Sequence, residues 1–227
     1  MRVAVLVLAL TLGACASPSE PLTDHDRRGT VLLREGKVEE AREAFLQGAH
    51  AGDDRYTSWI GIAHCEARLG RSVAFENAAL RATANAPRDP RAWDRLGRMY
   101  VQAAERFRAT PRSHHYAGLG VEYLRRVFAT EPETRDLPYN LGLGLSLAQD
   151  DATAAVMLEE AHRRDPRRVD VTNVYIGVLR RTGNAAKLRE VLGARSDREA
   201  WPASWREAWD WAESREVGGV HQPRPNR

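Results

Sequence analysis

The segment Trp93-Asp94-Arg95-Leu96-Gly97-Arg98-Met99-Tyr100 sets three large apolar residues and one glycine at fixed offsets. Trp93, Leu96 and Tyr100 are large enough to fill the space between two helices. Gly97 carries no side chain, so a partner helix can approach its backbone closely. This combination predicts a helix that packs tightly against a second helix.

Related spacings occur along the rest of the chain. Pro132 and Pro166 are 34 residues apart, and small and apolar residues between them fall at matching offsets. Together with the W-x2-L-G-x2-Y segment, this period resembles the tetratricopeptide repeat. The resemblance implies an all-α fold, a right-handed superhelical solenoid of about five helix-turn-helix units over residues 22–195. One departure is Phe75, which stands where the family usually has alanine.

Turn signals within the units fit the same interpretation. Residues 35–37, 69–71 and 182–184 each have a central glycine, and we expect each to join the two helices of its unit. Unit three is longer than the others by about eleven residues, Glu105–His115. We expect a lengthened first helix, a turn at Thr110-Pro111 and Ser113 capping a longer second helix. The insertion is either a binding feature or a neutral change of length.

The C-terminal part is rich in tryptophan. Four of the six tryptophans fall between residues 200 and 212, and three of them, at positions 201, 205 and 209, share one helix face. Because a solenoid needs a cap over its last apolar surface, residues 196–216 are predicted to form a capping helix. A membrane contact or an aromatic partner-binding patch are the alternatives. Residues 217–227 are predicted to be disordered.

The N-terminal part has the pattern of an export signal. Arg2 precedes an apolar run of ten residues, too short to span a bilayer, so residues 1–14 are predicted to be a signal peptide. Leu12-Gly13-Ala14-Cys15 resembles the lipobox of bacterial lipoproteins, which implies lipidation at Cys15 and a flexible tether over residues 15–21. An ordinary secretory signal is the alternative. The remaining cysteine, Cys65, is expected to be a packing residue rather than a reactive thiol.

Composition and motifs favour a protein without catalytic chemistry. The chain has 227 residues and a formal charge of +3, with no concentrated basic run, which argues against a nucleic-acid partner. We find no H-E-x-x-H, C-x-x-C, G-x-S-x-G or phosphate-binding glycine loop. Adjacent His114 and His115 point in different directions on a helix and make a poor metal pair. We therefore expect no catalytic residues, no metal, no cofactor and no small-molecule substrate.

The resemblance also implies a binding surface, since the first helices of tetratricopeptide units line a concave groove. The positions that face this groove in the family are occupied here by Arg34, His64, Arg68, Arg98, Gln102, Tyr139, Asn173, Arg180 and Arg181, and by the carboxylates Asp26, Asp94, Asp136 and Asp170. The arginine row suits an acidic peptide held by charge-assisted bonds. Alternatively, mixed charges simply solvate the groove. The carboxylate clamp of chaperone-binding members is absent, because Asp26 and Thr30 occupy its positions.

These features predict a lipid-anchored scaffold that binds protein partners in the bacterial cell envelope, at the outer membrane facing the periplasm. The chain resembles envelope lipoproteins that pilot secretins or support assembly machines. The alternative is a glycan-binding or enzyme-accessory component of an exopolysaccharide or peptidoglycan system. Glycan binding would require several stacking rings in the groove, where Tyr139 is the one aromatic residue expected.

Overall fold

The computed structural model describes residues 23–51, 55–195 and 198–217, and within them the chain is built from helices without any strand. Ten helices form five consecutive pairs and an eleventh follows. Their bounds are α1 (Asp24–Arg34), α2 (Val38–His50), α3 (Tyr56–Arg68), α4 (Ser72–Asn85), α5 (Pro90–Arg106), α6 (Arg112–Thr130), α7 (Leu137–Leu147), α8 (Asp151–Arg164), α9 (Val169–Arg181), α10 (Ala185–Gly193) and α11 (Ala203–Val217). The prediction of an all-α solenoid of five units with a terminal helix is confirmed.

Polar side chains start several of these helices. Thr23 and Asp26 form a capping box at α1, where each side chain accepts a hydrogen bond from the other residue's backbone N–H. Asp89 caps α5 by accepting from Ala92 N at 2.8 Å, and Pro90 fills the first helical position. These caps satisfy backbone donors that a helix leaves without a partner in its first turn.

The turn between the two helices of a unit has one recurrent geometry. Gly36, Gly70 and Gly183 have φ values of 80°, 73° and 72°, which confirms the three predicted turns. In each, the residue after the glycine donates its N–H to a carbonyl five residues earlier, as Lys37 N does to Leu32 O at 2.9 Å. Gln149 adopts the same left-handed conformation in unit four with φ 63°.

Within a unit the two helices approach most closely at glycines. A Cβ added to Gly97 would lie 2.6 Å from Leu124 Cγ, and one added to Gly142 would lie 2.7 Å from Leu158 Cγ. Each added atom would clash with the second helix of the pair. The predicted role of Gly97 in close helix pairing is therefore confirmed, and Gly142 has the same role in unit four.

Aromatic rings make the junction between units two and three. The Phe75 ring of α4 packs edge-on against Tyr100 of α5 at 6.1 Å and against Tyr116 of α6 at 5.0 Å, measured between ring centroids. Phe107 joins the same cluster at 6.1 Å from Phe75. All four residues are buried. Phe75 therefore occupies the usual alanine position because this junction is filled by aromatic rings, and the helix backbones do not approach each other closely there.

Unit three has the two longest helices of the described chain, with 17 residues in α5 and 19 in α6. The lengthened pair is as predicted, but Ser113 does not cap α6. The helix starts at Arg112 after Pro111, and the buried Ser113 hydroxyl donates to Ala104 O across the hairpin at 2.7 Å. The side chain satisfies a carbonyl of α5 instead of an N–H of α6, since burial leaves it facing its partner helix.

Arginines tie each unit to the unit before it. Arg68 donates to Leu33 O at 2.8 Å, and Arg106 donates to Arg68 O at 2.9 Å. Arg195 likewise donates to Pro166 O at 2.8 Å, and Arg164 reaches Pro132 O at 3.4 Å. These bonds are charge-assisted and satisfy carbonyls at the ends of helices or in the loops that follow them.

The last helix covers the fifth unit. Trp205, Ala208 and Ala212 are buried on one face of α11, which begins at Ala203 rather than at residue 196, and Trp201, just before the helix, is buried against Trp205. Outward-facing positions are mostly polar, as expected of a cap. Its end at Val217 reaches one residue into the segment predicted to be disordered. The predicted signal peptide, the tether with Cys15, and residues 218–227 lie outside the described chain.

Candidate binding groove

The first helices of units one to three line two cavities that share His64 and Gln102. The larger, of about 500 Å³, contains residues of α1, α3 and α5, and the smaller, of about 320 Å³, lies between α3 and α5. Because they share two residues, we describe them as one surface, the N-terminal groove. Six of the predicted groove residues line it: Asp26, Arg34, His64, Arg68, Arg98 and Gln102.

The floor of the larger cavity is apolar. Phe45 of α2 lies under it, with Leu33 and Ile60 beside it. The Phe45 ring fits between two glycines, since a Cβ on Gly29 would lie 2.8 Å from the ring and one on Gly61 would clash with it as well. Gly29 of α1 and Gly61 of α3 thus leave the space in which the Phe45 ring forms the floor of the groove.

The rim of the groove is mainly cationic. Five arginines line it against two carboxylates; the cations are Arg34, Arg68, Arg95, Arg98 and Arg106, and the anions are Asp26 and Glu105. Two of the arginines, Arg95 and Arg106, were not predicted. Arg95 lies outside the family's groove-facing positions, and Arg106 lies in the inserted segment, where the family pattern gives no position to align.

Several of the rim arginines are also used within the fold. Arg68 and Arg106 donate to the backbone carbonyls described above, and Arg98 forms an ion pair with Asp94 at 2.9 Å. Arg34 and Arg95, in contrast, have no ion pair or hydrogen bond within the described chain. These two side chains can therefore bind an anion without breaking an ion pair or a hydrogen bond within the protein.

His64 lies between the two cavities and is neutral at pH 7. Burial lowers the pKa of its imidazole to about 4, and the neighbouring Arg98 and Arg68 act in the same direction. Neither ring nitrogen has a hydrogen-bond partner in the described part of the molecule. The side chain is only partly covered, so solvent in the groove reaches it.

Asp26 was predicted to face the groove, but its carboxylate is a structural group. It is 1% exposed and accepts hydrogen bonds from Ser58 Oγ at 2.6 Å, from Thr57 Oγ1 at 3.4 Å and from the Thr23 backbone N–H at 3.1 Å. These donors occupy both carboxylate oxygens, and a ligand cannot reach the buried group. The carboxylate joins α1 to α3 instead of repelling an acidic partner.

The remaining predicted groove residues lie farther along the solenoid, where each has contacts within the fold. The Tyr139 ring is covered by Arg168 at 4.7 Å, and Arg168 also binds Asp136 and Asp170. Asn173 accepts a hydrogen bond from Trp205, and Arg180 lies 6.0 Å from the centre of the Trp211 ring. Arg181 pairs with Asp151 at 2.7 Å. Tyr139, Asp136 and Arg168 line a cavity of about 410 Å³ that shares no residue with the N-terminal groove, so the structure does not bring the predicted residues of the C-terminal half into that groove.

A separate cavity of about 370 Å³ lies where the hairpin of unit three meets the end of α7. Arg108 and His114 line it from the hairpin, and Ser146 and Gln149 from unit four. The tip of the insertion thus borders the next unit.

Within the described ranges, no group of three or more histidine, cysteine, aspartate or glutamate side chains could hold a metal ion. Along the same part of the chain, none of the helices combines the length and the apolar character needed to cross a bilayer.

Comparison with known proteins gives structural matches only. No family model and no curated protein matches the sequence. PilF of Pseudomonas aeruginosa superposes with a TM-score of 0.60 at 13% identity, over 86% of this chain and 90% of that one. A tetratricopeptide repeat protein of Thermus thermophilus gives 0.55 at 18% identity, over 84% and 97%. YrrB, described as a tetratricopeptide repeat protein with an unusual peptide-binding site, gives 0.53 at 13% identity, over 76% and 86%. By its fold, this chain is a tetratricopeptide repeat solenoid.

Proposed function

We propose that this protein is a non-catalytic scaffold whose N-terminal groove binds acidic segments of protein partners. The observation that supports this most directly is the lining of the groove, which has five arginines against one accessible carboxylate, Glu105, and an apolar floor around Phe45 in its larger cavity. Such a surface suits an extended peptide that combines acidic side chains with an apolar one. Charge-assisted bonds would supply affinity, and the apolar floor would supply selectivity.

The groove runs across three neighbouring first helices, which favours a chain-like ligand over a compact one. It consists of two adjoining cavities that share His64 and Gln102 rather than one enclosed pocket. YrrB, which shares the fold, is described as having a peptide-binding site, and this agrees with a peptide ligand here. We find no observation that favours glycan binding, because Phe45, the aromatic residue of the groove, is buried and offers no open ring face.

We further propose that the scaffold acts at a bacterial membrane. The resemblance of Leu12-Gly13-Ala14-Cys15 to a lipobox supports lipid anchoring at Cys15, and the proposed location of the anchor is the outer membrane, facing the periplasm. Residues 15–21 would then separate the anchor from the first helix. An accessory role in secretin piloting or in an envelope assembly machine fits such a protein.

The groove is tested with Arg34→Glu combined with Arg95→Glu, which reverses the two rim charges that have no internal partner. The probe is a short fluorescein-labelled poly-glutamate peptide, and binding is followed by fluorescence anisotropy. We expect at least about tenfold weaker binding, because two favourable charge contacts become repulsive.

The matched control is Arg88→Glu combined with Arg206→Glu. It changes the net charge equally at exposed positions away from the groove. Equal weakening in both variants would mean that the peptide responds to overall charge, and the groove would be rejected as the binding site.

A further inference from the structure

His64 occupies the junction of the two cavities that form the N-terminal groove. Its ring nitrogens have no hydrogen-bond partner in the described chain, although the guanidinium groups of Arg68 and Arg98 lie near enough to influence its ionisation. A neutral imidazole between two cations is a position where an anion would be stabilised from both sides.

A second observation concerns Arg98. Its terminal nitrogen is held by Asp94 at 2.9 Å, but its Nε is buried and has no hydrogen-bond acceptor in the described part of the molecule. A buried donor without an acceptor is uncommon and costs free energy. A carboxylate at the side of this guanidinium would supply the missing acceptor.

We propose that one carboxylate of an acidic partner segment binds at this junction, between His64, Arg68 and Arg98, and that His64 takes up a proton from solvent as it binds. This inference rests on the proposed peptide-binding function of the groove. The proton goes to the free imidazole nitrogen, the carboxylate stays ionised, and the bound pair is an imidazolium and a carboxylate.

The charges around His64 explain why the uptake depends on the ligand. The groups that line the groove with it come from α1 (Asp26 and Arg34), from its own helix (Arg68) and from α5 (Arg95, Arg98, Glu105 and Arg106), whereas α2 and α4 contribute no titratable side chain to this lining. Cations outnumber anions, and Asp26 is already hydrogen-bonded to α1 and α3. Without ligand, the surroundings therefore favour the neutral ring.

An added carboxylate reverses this balance. The pKa of His64, about 4 in the free protein because of burial and the two arginines, must rise when a negative charge lies beside the ring. By linkage, the ligand then binds more tightly as the pH falls toward the raised pKa, by up to about tenfold per pH unit. Glutamate side chains of the ligand remain ionised at pH 5.5, since their ordinary pKa is about 4.3.

The test uses the full chain in a mild detergent, with histidine labelled at Cε1 for NMR. The His64 signal is assigned by its loss in His64→Gln. Its pKa is measured with and without saturating poly-glutamate peptide, and anisotropy gives the affinity at pH 7.5 and 5.5. A poly-glutamine peptide of equal length is the control for non-ionic binding.

We expect the His64 pKa to rise when poly-glutamate binds and to stay unchanged with poly-glutamine. Poly-glutamate should bind about five- to tenfold more tightly at pH 5.5 than at pH 7.5. His64→Gln should remove most of this pH dependence. If poly-glutamate binds but the His64 pKa does not move, or if His64→Gln keeps the same pH dependence, the inference is wrong, and the proposed function is then decided by the Arg34 and Arg95 variant and its control. If poly-glutamate does not bind at either pH, the proposed function itself fails.

Discussion

The indole nitrogen of Trp205 donates a hydrogen bond to the side-chain oxygen of Asn173 and so ties α11 to α9. The Trp205 ring is 2% exposed and packs edge-on against Trp201, with ring centroids 6.3 Å apart. Arg195 stacks on the same ring at 4.6 Å. The terminal helix is thus held by burial, by a specific hydrogen bond and by a cation–π contact.

Replacing Trp205 by alanine should lower the free energy of unfolding by about 3–5 kcal/mol, because it empties the largest buried site of the cap. Trp205→Phe should cost less, since an aromatic ring stays in place while the bond to Asn173 is lost. Urea unfolding followed by circular dichroism measures both. The control, Trp211→Phe, alters a half-buried ring of the same helix and should cost less than about 1 kcal/mol. If Trp205→Phe and Trp211→Phe lowered the free energy of unfolding equally, the structural role of Trp205 would be contradicted.

Gly61→Ala should destabilise the protein by about 1–3 kcal/mol, because the added methyl group would clash with the Phe45 ring under the groove. Gly118→Ala is the matched substitution in α6, where a Cβ meets no atom within 4 Å. It should raise stability by up to about 1 kcal/mol, since alanine favours helix over glycine. Thermal unfolding of both variants tests the pair, and a change of the same sign in both would be inconsistent with this packing.

The repeat pattern predicted the fold because its information is local. Trp93, Leu96, Gly97 and Tyr100 lie within two helical turns, and the glycines at 36, 70 and 183 mark turns through their own backbone preference. Phe75 was visible as a departure, but the rings that surround it, Tyr100, Phe107 and Tyr116, could not be assigned to it from spacing.

The groove was predictable only in part, because its chemistry depends on contacts between distant residues. Family positions found Arg34, His64 and Arg98, which share one cavity. The same positions also selected Asp26, although its carboxylate is buried and accepts a hydrogen bond from Ser58, 32 residues away in the sequence, and so cannot bind a ligand. Likewise, nothing in the local sequence of Asn173 indicates that Trp205 from the cap will occupy it.

Acid should weaken the fold through His64. Burial and the neighbouring arginines lower the pKa of this side chain to about 4 in the folded protein, from 6.5 in the unfolded chain. The unfolded state therefore binds more protons below pH 6.5, and stability is lost as the pH falls from there to about 4. Between pH 7 and pH 5 this amounts to about 2 kcal/mol. Urea unfolding at pH 7 and at pH 5 measures this difference in stability. In His64→Gln the difference should be smaller by about 2 kcal/mol. An unchanged difference would show that His64 does not cause it.

Cys15→Ala should release the protein from the membrane fraction, since the mutation removes the thiol that carries the proposed lipid. Cys65→Ala is the matched control and should leave the protein in that fraction. Cys65 is fully buried, and burial raises the pKa of its thiol to about 12, so it is a packing residue in the folded chain. Fractionation with a high-salt wash measures both variants. Retention of Cys15→Ala in the washed membranes would refute lipid anchoring at this residue.

The arginine ties have a direction, and this bears on the order in which the chain folds. Arg68 donates to a carbonyl of unit one, Arg106 to one of unit two and Arg195 to one of unit four, so each acceptor precedes its donor in the sequence. A chain that emerges N-terminus first, from the ribosome or during export, presents its N-terminal units first. Each later unit therefore meets a neighbour whose carbonyl oxygen is already in place to accept its arginine, and the stack can close progressively from the N-terminus without waiting for its C-terminal cap.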